Sequence, residues 1–447
     1  MHYIALRPVW RKLSVAAVVF SAIAAHSPNI ASAATTSSTA YKKPAVTISG
    51  PNSALGAAAF LSSLGVNTHT TYSNTVYANT ALVVTDLAYL GFGRVRDGVT
   101  ATWSDPRARG LQQLAADGYK INFAISQPSV ATMAVLDSYA TTYPQAMGSI
   151  EGPNEVNLMP ISYNGGTALP NEIALQQAIY TTVHSDGNLA GIPVVNLTLG
   201  YPSVALYSTL GNMSAAADNG NAHIYQPYGL PPATDWNAVL SMSSLPTPGV
   251  PTVVTETGYF TLPSNVSGVD EPTQAKYSLN LIMDAALSGA AQTFFYELLD
   301  EFPDTAGTNA QAHYGLFHNN GTPKRAANAI HNLVGILGAN SGSPAFKPNG
   351  FTYTTCNLPT KASQLVLGKQ NGAYDIVFWA EPTLWNYTLH KAVAATTTTV
   401  TVNFPQTENQ VSVFDALAGT SPVAYYAGVQ TINVQVSDHP IVIEVGP

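Results

Sequence analysis

Between about Val46 and Gly338, short β-rich apolar runs alternate with longer amphipathic stretches, and that alternation leaves few folds open to the chain. The strand candidates are GVNTHT (65–70), FGRVRD (92–97), KINFAIS (120–126), AMGSIEG (146–152), VVNLTLG (194–200), NAHIYQ (221–226), TVVTETG (252–258) and TFFYEL (293–298). Between them lie segments such as PRARGLQQLAADG, NEIALQQAIYTTVHSDG, TQAKYSLNLIMDAALSGA and TPKRAANAIHNLVGILG. In these, apolar residues recur at spacings of three and four, and Gly often closes the run. Strand and helix alternation requires parallel strands, and eight such units in roughly 290 residues close the sheet on itself. We therefore expect an α/β fold with a (β/α)8 TIM barrel over 46–339. An open doubly wound sheet is the alternative, but no G-x-G-x-x-G follows the first strand.

After Gly338 the texture changes. The linker-like NSGSPAFKPNG leads into QLVLGKQ, AYDIVFWA, TTTTVTVNF, QVSVFDA, VQTINVQVS and HPIVIEV, which alternate with period two and contain no helical run. That pattern reads as a C-terminal antiparallel β-sandwich over 340–447. The Thr-rich AATTTTVTVNF reads as an edge or hairpin strand, since Val and Phe alternate through it.

The first residues read differently again. Arg7, Arg11 and Lys12 precede an apolar run from about Leu13 to Ala25, and Ala31-Ser32-Ala33 follows. This is the layout of a cleaved signal peptide (1–33), with a flexible segment over 34–45. An uncleaved anchor is the alternative, but the run is shorter than the roughly 20 residues that span a bilayer. The expected product is secreted, extracellular or periplasmic, with no membrane span. Loss of 1–33 removes three basic residues and no acid, so the net charge moves from −8 to −11. With charged residues only 9% of the chain, this balance is a poor match for a phosphate backbone, which excludes nucleic acid as a partner. The abundant Tyr, Asn, Thr and Ser suit neutral polar ligands. The single Cys356 allows no internal disulfide. No paired Cys or His-x-x-x-His spacing suggests a metal, and no cofactor is expected. Five N-x-S/T sites (Asn196, Asn212, Asn265, Asn320, Asn386) would carry glycans only in a eukaryote. The oligomeric state is not written in the sequence.

In a barrel, functional side chains sit at the C-terminal ends of the strands. His69 ends the first strand candidate, Arg96 and Asp97 the second, His223 and Tyr225 the sixth, Glu256 the seventh, and Tyr296 and Glu297 the eighth, while Glu155 follows the fourth. Two carboxyls across a cleft can cleave a glycosidic bond when one is protonated to serve as acid and the other is ionised to attack the anomeric carbon. Glu155, beside Asn154, would be the acid. Glu256, near Arg96 and a Tyr225 hydroxyl, would stay ionised. Arg94 shares a strand face with Arg96, which lies nearer the mouth. Gly152 and Pro153 end the fourth strand, leaving Glu151 as a strand residue that is either paired inside the barrel or a subsite contact. Asp300, Glu301 and Asp304 form an acidic loop that is solvated, binds Ca2+ or contacts substrate, although its spacing matches no calcium loop. Trp379, Trp385, Tyr425 and Tyr426 pack in the sandwich or form a glycan-binding surface.

GPNE on the fourth strand, HIY on the sixth, TETG on the seventh and YGLFHNNGTPKRAA before the last helix resemble clan A of the glycoside hydrolases. The C-terminal sandwich is similar to that of family 39 and its relatives. The resemblance covers the whole barrel. It implies a retaining enzyme on a (β/α)8 barrel, with Glu155 as acid/base and Glu256, 101 residues later, as nucleophile. By the same resemblance Asn154 binds the sugar 2-hydroxyl, Arg96 and Tyr225 orient the nucleophile, and His223 lines the cleft. His69 is a sugar contact in some branches. Where many members carry a Trp on the eighth strand, Tyr296 or a neighbouring Phe would serve. The expected substrate is a β-linked, largely neutral polysaccharide or oligosaccharide, such as a microbial exopolysaccharide or a plant cell-wall glycan. A catalytically silent carbohydrate-binding protein and a transglycosidase are the alternatives.

Overall fold

The computed structural model describes residues 52–447. The signal peptide read at 1–33 and the segment read at 34–45 lie outside the described residues. Eight parallel strands form one sheet: β1 (Leu64–Asn67), β2 (Arg94–Gly98), β3 (Lys120–Ala124), β4 (Met147–Glu151), β5 (Val194–Val195), β6 (Gly220–Tyr225), β7 (Thr252–Gly258) and β8 (Thr293–Phe295). Each is followed by a helix: α1 (Thr80–Leu90), α2 (Arg109–Ala116), α3 (Val130–Thr142), α4 (Leu169–Ser185), α5 (Val204–Ser208), α6 (Trp236–Ser243), α7 (Glu271–Ser288) and α8 (Arg325–Gly338). The sheet runs β5-β4-β3-β2-β1-β8-β7-β6. A parallel bridge from Val195 to Asn219 joins its two ends, so the barrel is nearly closed.

The strands follow the pleat. Val66, Val95, Phe123, Ile150, Val254 and Phe295 belong to one buried cluster with helix residues such as Leu87, Leu136, Ile179, Ile282 and Leu333. The alternate positions point into the barrel. Val195, Val253 and Phe294 form a separate buried group there. A Cβ on Gly65 would lie 2.5 Å from the Phe294 ring, so only glycine lets that ring fill the interior.

Three strand expectations differ from the structure. The run 65–70 ends as a strand at Asn67, so His69 lies in the loop that follows. The run 194–200 leaves the sheet after Val195, because Thr198 pairs its backbone with Pro153 and Val156 in the loop after β4. The run 293–298 ends as a strand at Phe295; Leu298 then bonds the Asn67 carbonyl.

The sandwich comprises β9 (Thr354–Cys356), β10 (Ala362–Gly368), β11 (Tyr374–Ala380), β12 (Thr398–Glu408), β13 (Val411–Asp415), β14 (Ala424–Tyr426), β15 (Val429–Val436) and β16 (Ile441–Val445). One sheet has the order Leu55–Gly56, β10, β11, β16, β13, β14, and the other β9, β12, β15. The Thr-rich strand β12 is therefore central, not an edge. The first described residues of the span assigned to the barrel also join this domain: Asn52 bridges Phe351, and Leu55–Gly56 pairs in parallel with Leu367–Gly368. Trp379 and Trp385 are buried, whereas Tyr425 is exposed.

Helix α7 lies between barrel and sandwich, and every residue from Thr273 to Ala285 except Lys276 is buried. Asp270 caps its N-terminus through Thr273 N (2.9 Å), and Gly289 at φ 77° ends it. Lys276 pairs with Asp438 at 2.6 Å, Asn280 donates to the Asp438 carbonyl at 3.1 Å, and Trp379 Nε1 donates to Asp284 at 3.0 Å. Beside this contact His439 touches Asp438 (2.7 Å) and Asp415 (3.1 Å). Burial alone would lower the His439 pKa, but hydrogen bonds to the two carboxylates outweigh it and raise it to about 8. A folded-state pKa above the unfolded value stabilises the fold fully below pH 6.5, and that stabilisation is lost as pH rises through about 8. The expected loss is about 2 kcal/mol. Melting temperature should fall between pH 6 and 9 in the wild type and should fall less in His439→Gln; equal slopes would contradict the linkage. Among the described residues no helix is long and apolar enough to cross a membrane.

Candidate active site

The barrel mouth is organised by one guanidinium. Arg96 points inward from β2 and is 6% exposed. Its Nε and Nη2 donate to the two Glu151 oxygens at 2.7 and 2.9 Å, and Nη2 also donates to Asn154 Oδ1 at 2.8 Å. Its Nη1 donates to Asn67 Oδ1 at 2.8 Å and to Glu256 Oε1 at 2.7 Å. Glu151 is fully buried and also accepts from Asn122 (2.8 Å) and Asn221 (3.1 Å). Of the two roles open to Glu151, the paired one holds. Arg94 instead donates to the Ser62 carbonyl at the opposite end of the barrel.

Glu155 sits in the loop after β4 at φ 42°, a region that L-residues seldom occupy. Its N–H donates to Thr198 Oγ1 at 2.9 Å. Gly200 packs beneath it: a Cβ there would lie 2.3 Å from Leu158 and 3.2 Å from the Glu155 carboxyl carbon. The early departure of the chain from β5 thus makes room for this side chain.

Glu256 reaches the mouth through an irregularity in the β7–β8 register between Val254 and Thr257, which re-aims the strand. Tyr225 donates its hydroxyl to Glu256 Oε2 at 2.9 Å. Burial and the Glu256 charge hold that phenol well above its usual pKa, so it remains a donor. A carboxyl oxygen of Glu155 and one of Glu256 lie within 4.8 Å of each other, with His223 between them. His223 Nδ1 is 2.9 Å from Glu155 and 3.6 Å from Glu256. Thr255 donates to Asn221 Oδ1 at 2.7 Å, so its oxygen accepts from His223 Nε2–H at 3.1 Å. Burial works against charging His223, but Glu256 and Glu155 outweigh it and raise its pKa. One proton is thereby shared between His223 Nδ1 and Glu155.

His69 and Tyr296 fall in an adjoining group. The His69 ring stacks on Tyr72 (4.7 Å) and meets Tyr77 and Tyr296 edge-on (5.3 and 5.6 Å). Its Nε2 is 3.3 Å from Glu297, whose other oxygen is buried without a hydrogen-bond partner. Burial lowers the His69 pKa to about 4. Burial and the neighbouring Glu301 charge raise that of Glu297 well above the carboxylate range, and burial raises Glu301 to about 7.

His69, Glu297 and Glu301 could together hold a metal ion, as could Glu155, His223 and Glu256, but the second trio already bonds within itself and to Arg96 and Tyr225. The rest of the acidic loop is engaged in the fold. Asp300 pairs with Lys324 at 2.7 Å, and Asp304 accepts from the backbone N–H groups of Gly307, Thr308 and Asn309. Asp97 likewise holds Thr68 and Thr70 rather than facing the mouth.

The structure thus joins Arg96, Asn154, Glu155, His223, Tyr225 and Glu256 in one bonded cluster, with His69 and Tyr296 beside it. Sequence reasoning missed Asn67, Asn122, Asn221 and Thr255, the inner ring that carries Arg96, Glu151 and His223. Their signal was a polar residue in each of several apolar strands: Asn67, Arg96 and Asn122 are register partners. Tyr314 was also missed; it packs against Tyr225 and Tyr296 at 5.8 and 5.4 Å.

The sequence matches no family model and no curated protein. Solved structures share the fold. A family 39 glycoside hydrolase from the gut symbiont Bacteroides cellulosilyticus is 14% identical with a TM-score of 0.58, over 87% of this chain and 82% of that one. The GH39 enzyme from Xanthomonas axonopodis pv. citri is 15% identical with a TM-score of 0.57, over 89% and 96%. A monomeric beta-xylosidase from Caulobacter crescentus is 14% identical with a TM-score of 0.55, over 89% and 97%. The chain therefore has a family-39-like clan A fold, barrel and sandwich together.

Proposed function

We propose that the chain is a secreted, retaining glycoside hydrolase that cleaves β-linked glycans by double displacement. The observation that carries this reading is the approach of the Glu155 and Glu256 oxygens to within 4.8 Å. Retaining enzymes hold their carboxyls about 5–5.5 Å apart, whereas inverting ones need roughly 6.5–9.5 Å to admit a water. Glu256, held in place by Arg96 and Tyr225, attacks the anomeric carbon while Glu155 delivers its proton to the leaving oxygen. The covalent glycosyl ester on Glu256 is then opened by a water that gives its proton to Glu155. His223 is positioned to exchange that proton with Glu155. Because Asn154 Oδ1 accepts from Arg96, its amide N–H groups are left to donate to the sugar 2-hydroxyl. Secretion rests on the signal layout at 1–33.

The test is stereochemical. Incubated with a panel of aryl β-glycosides and followed by proton NMR, the enzyme should release the β-hemiacetal first, with the α-anomer appearing only by mutarotation. A first-formed α product would reject double displacement at this pair.

A further inference from the structure

We propose that the sugar held between Glu155 and Glu256 is neutral, and that the subsite rejects a uronate, sulfate or phosphate at that position. This rests on the hydrolase reading and deepens it, because it names the substrate class from the site's own bonds.

An anionic sugar substituent buried beside the catalytic pair needs a cationic donor. Arg96 is the only Lys or Arg bonded to that cluster among the described residues. Its guanidinium has five N–H donors, and each is occupied: Nε by Glu151, Nη1 by Asn67 and Glu256, Nη2 by Glu151 and Asn154. The next ammonium, Lys324, is fully buried, and its three N–H bonds go to Thr261, Asp300 and the His313 carbonyl. His223 has both ring nitrogens engaged, by Glu155 and Thr255. His69 is held neutral by burial. Among the described residues bonded in this cluster, no positive group is therefore left with a free donor to receive an anion.

The remaining groups act against a charged substituent. Glu256 acts as a carboxylate in the proposed reaction, and Glu301 ionises as pH rises through about 7. A uronate would meet both as like charges.

The experiment identifies the sugar that becomes the new reducing end, since that residue sat over Glu256. Wild-type enzyme and Glu256→Gln are incubated with a panel of neutral glycans (xylan, laminarin, mannan) and of glycans containing uronate or sulfate. New ends are reduced with borodeuteride and identified by mass spectrometry. The same pair is assayed on aryl β-glucoside, β-xyloside and β-glucuronide. The expected result is a neutral labelled end even where the polymer contains uronate, and kcat/KM on the glucuronide at least ~100-fold below the best neutral glycoside. A labelled uronate end, or a glucuronide hydrolysed as fast as its neutral counterparts, overturns the proposal while leaving the hydrolase intact. No wild-type release above Glu256→Gln on any glycan or glycoside removes the hydrolase reading, and this proposal with it.

Discussion

Glu256→Gln is expected to lower kcat by at least about 10⁴-fold on every substrate, because the amide removes the nucleophile and nothing nearby replaces it. The side chain changes little in shape. Its amide oxygen can still accept from Arg96 Nη1, which now lies 2.7 Å from Glu256, and the Tyr225 hydroxyl can still bond the group. Arg96 also keeps its two-oxygen pair with Glu151, so the guanidinium is not left unpaired in the interior. The fold should therefore survive with stability within about 1 kcal/mol of wild type, which a denaturant melt would check. Loss of rate without loss of stability separates a chemical role from a structural one. Activity above about 1% of wild type on a glycoside that the wild type cleaves would show that Glu256 is not the attacking group.

That prediction turns on a residue that sequence could place only to the end of a strand. The barrel itself was legible because each unit declares its period: alternation in the strands, spacings of three and four in the helices, and a Gly or Pro between them. GPNE and TETG marked the two carboxyls because they fall at the C-terminal ends of strand candidates and resemble the clan A motifs. What decides their geometry lies elsewhere. Glu155 turns inward through a positive φ and a vacancy above Gly200, created when the chain leaves β5 five residues before the apolar pattern ends. The register shift between Val254 and Thr257 places both Thr255 and Glu256 at the site, although strict alternation would send adjacent side chains to opposite faces. Glu151 shows the same limit. Its residue type allowed a subsite role, and only the direction of Arg96 from β2 makes it the anion that anchors the site. The strand Leu55–Gly56 was unreadable for another reason: two residues carry no periodicity, and their partner lies some 310 positions away.

The acid/base assignment makes a different demand, because its effect depends on the substrate. Glu155→Ala should slow hydrolysis of glycosides with poorly activated leaving groups by about 10³- to 10⁴-fold, since the departing alkoxide then lacks a proton donor. With a dinitrophenolate, which departs unprotonated, formation of the glycosyl-Glu256 ester should proceed almost as fast as in the wild type. Its hydrolysis should not, because water loses its base, so the intermediate should accumulate, with a burst of phenolate and a lowered KM. His223 makes a useful control within this experiment. It is bonded to Glu155 at 2.9 Å and sits 3.6 Å from Glu256, so it is the nearest side chain that could substitute as acid. If it did, Glu155→Ala would retain a pH-dependent rate on poor leaving groups that disappears in the double variant with His223→Gln. If Glu155 is the proton donor, the single variant loses the alkaline limb of its pH profile, and added azide restores turnover by taking the space of the missing carboxylate and attacking the ester. Equal losses on good and poor leaving groups would rule out a role for Glu155 in proton transfer.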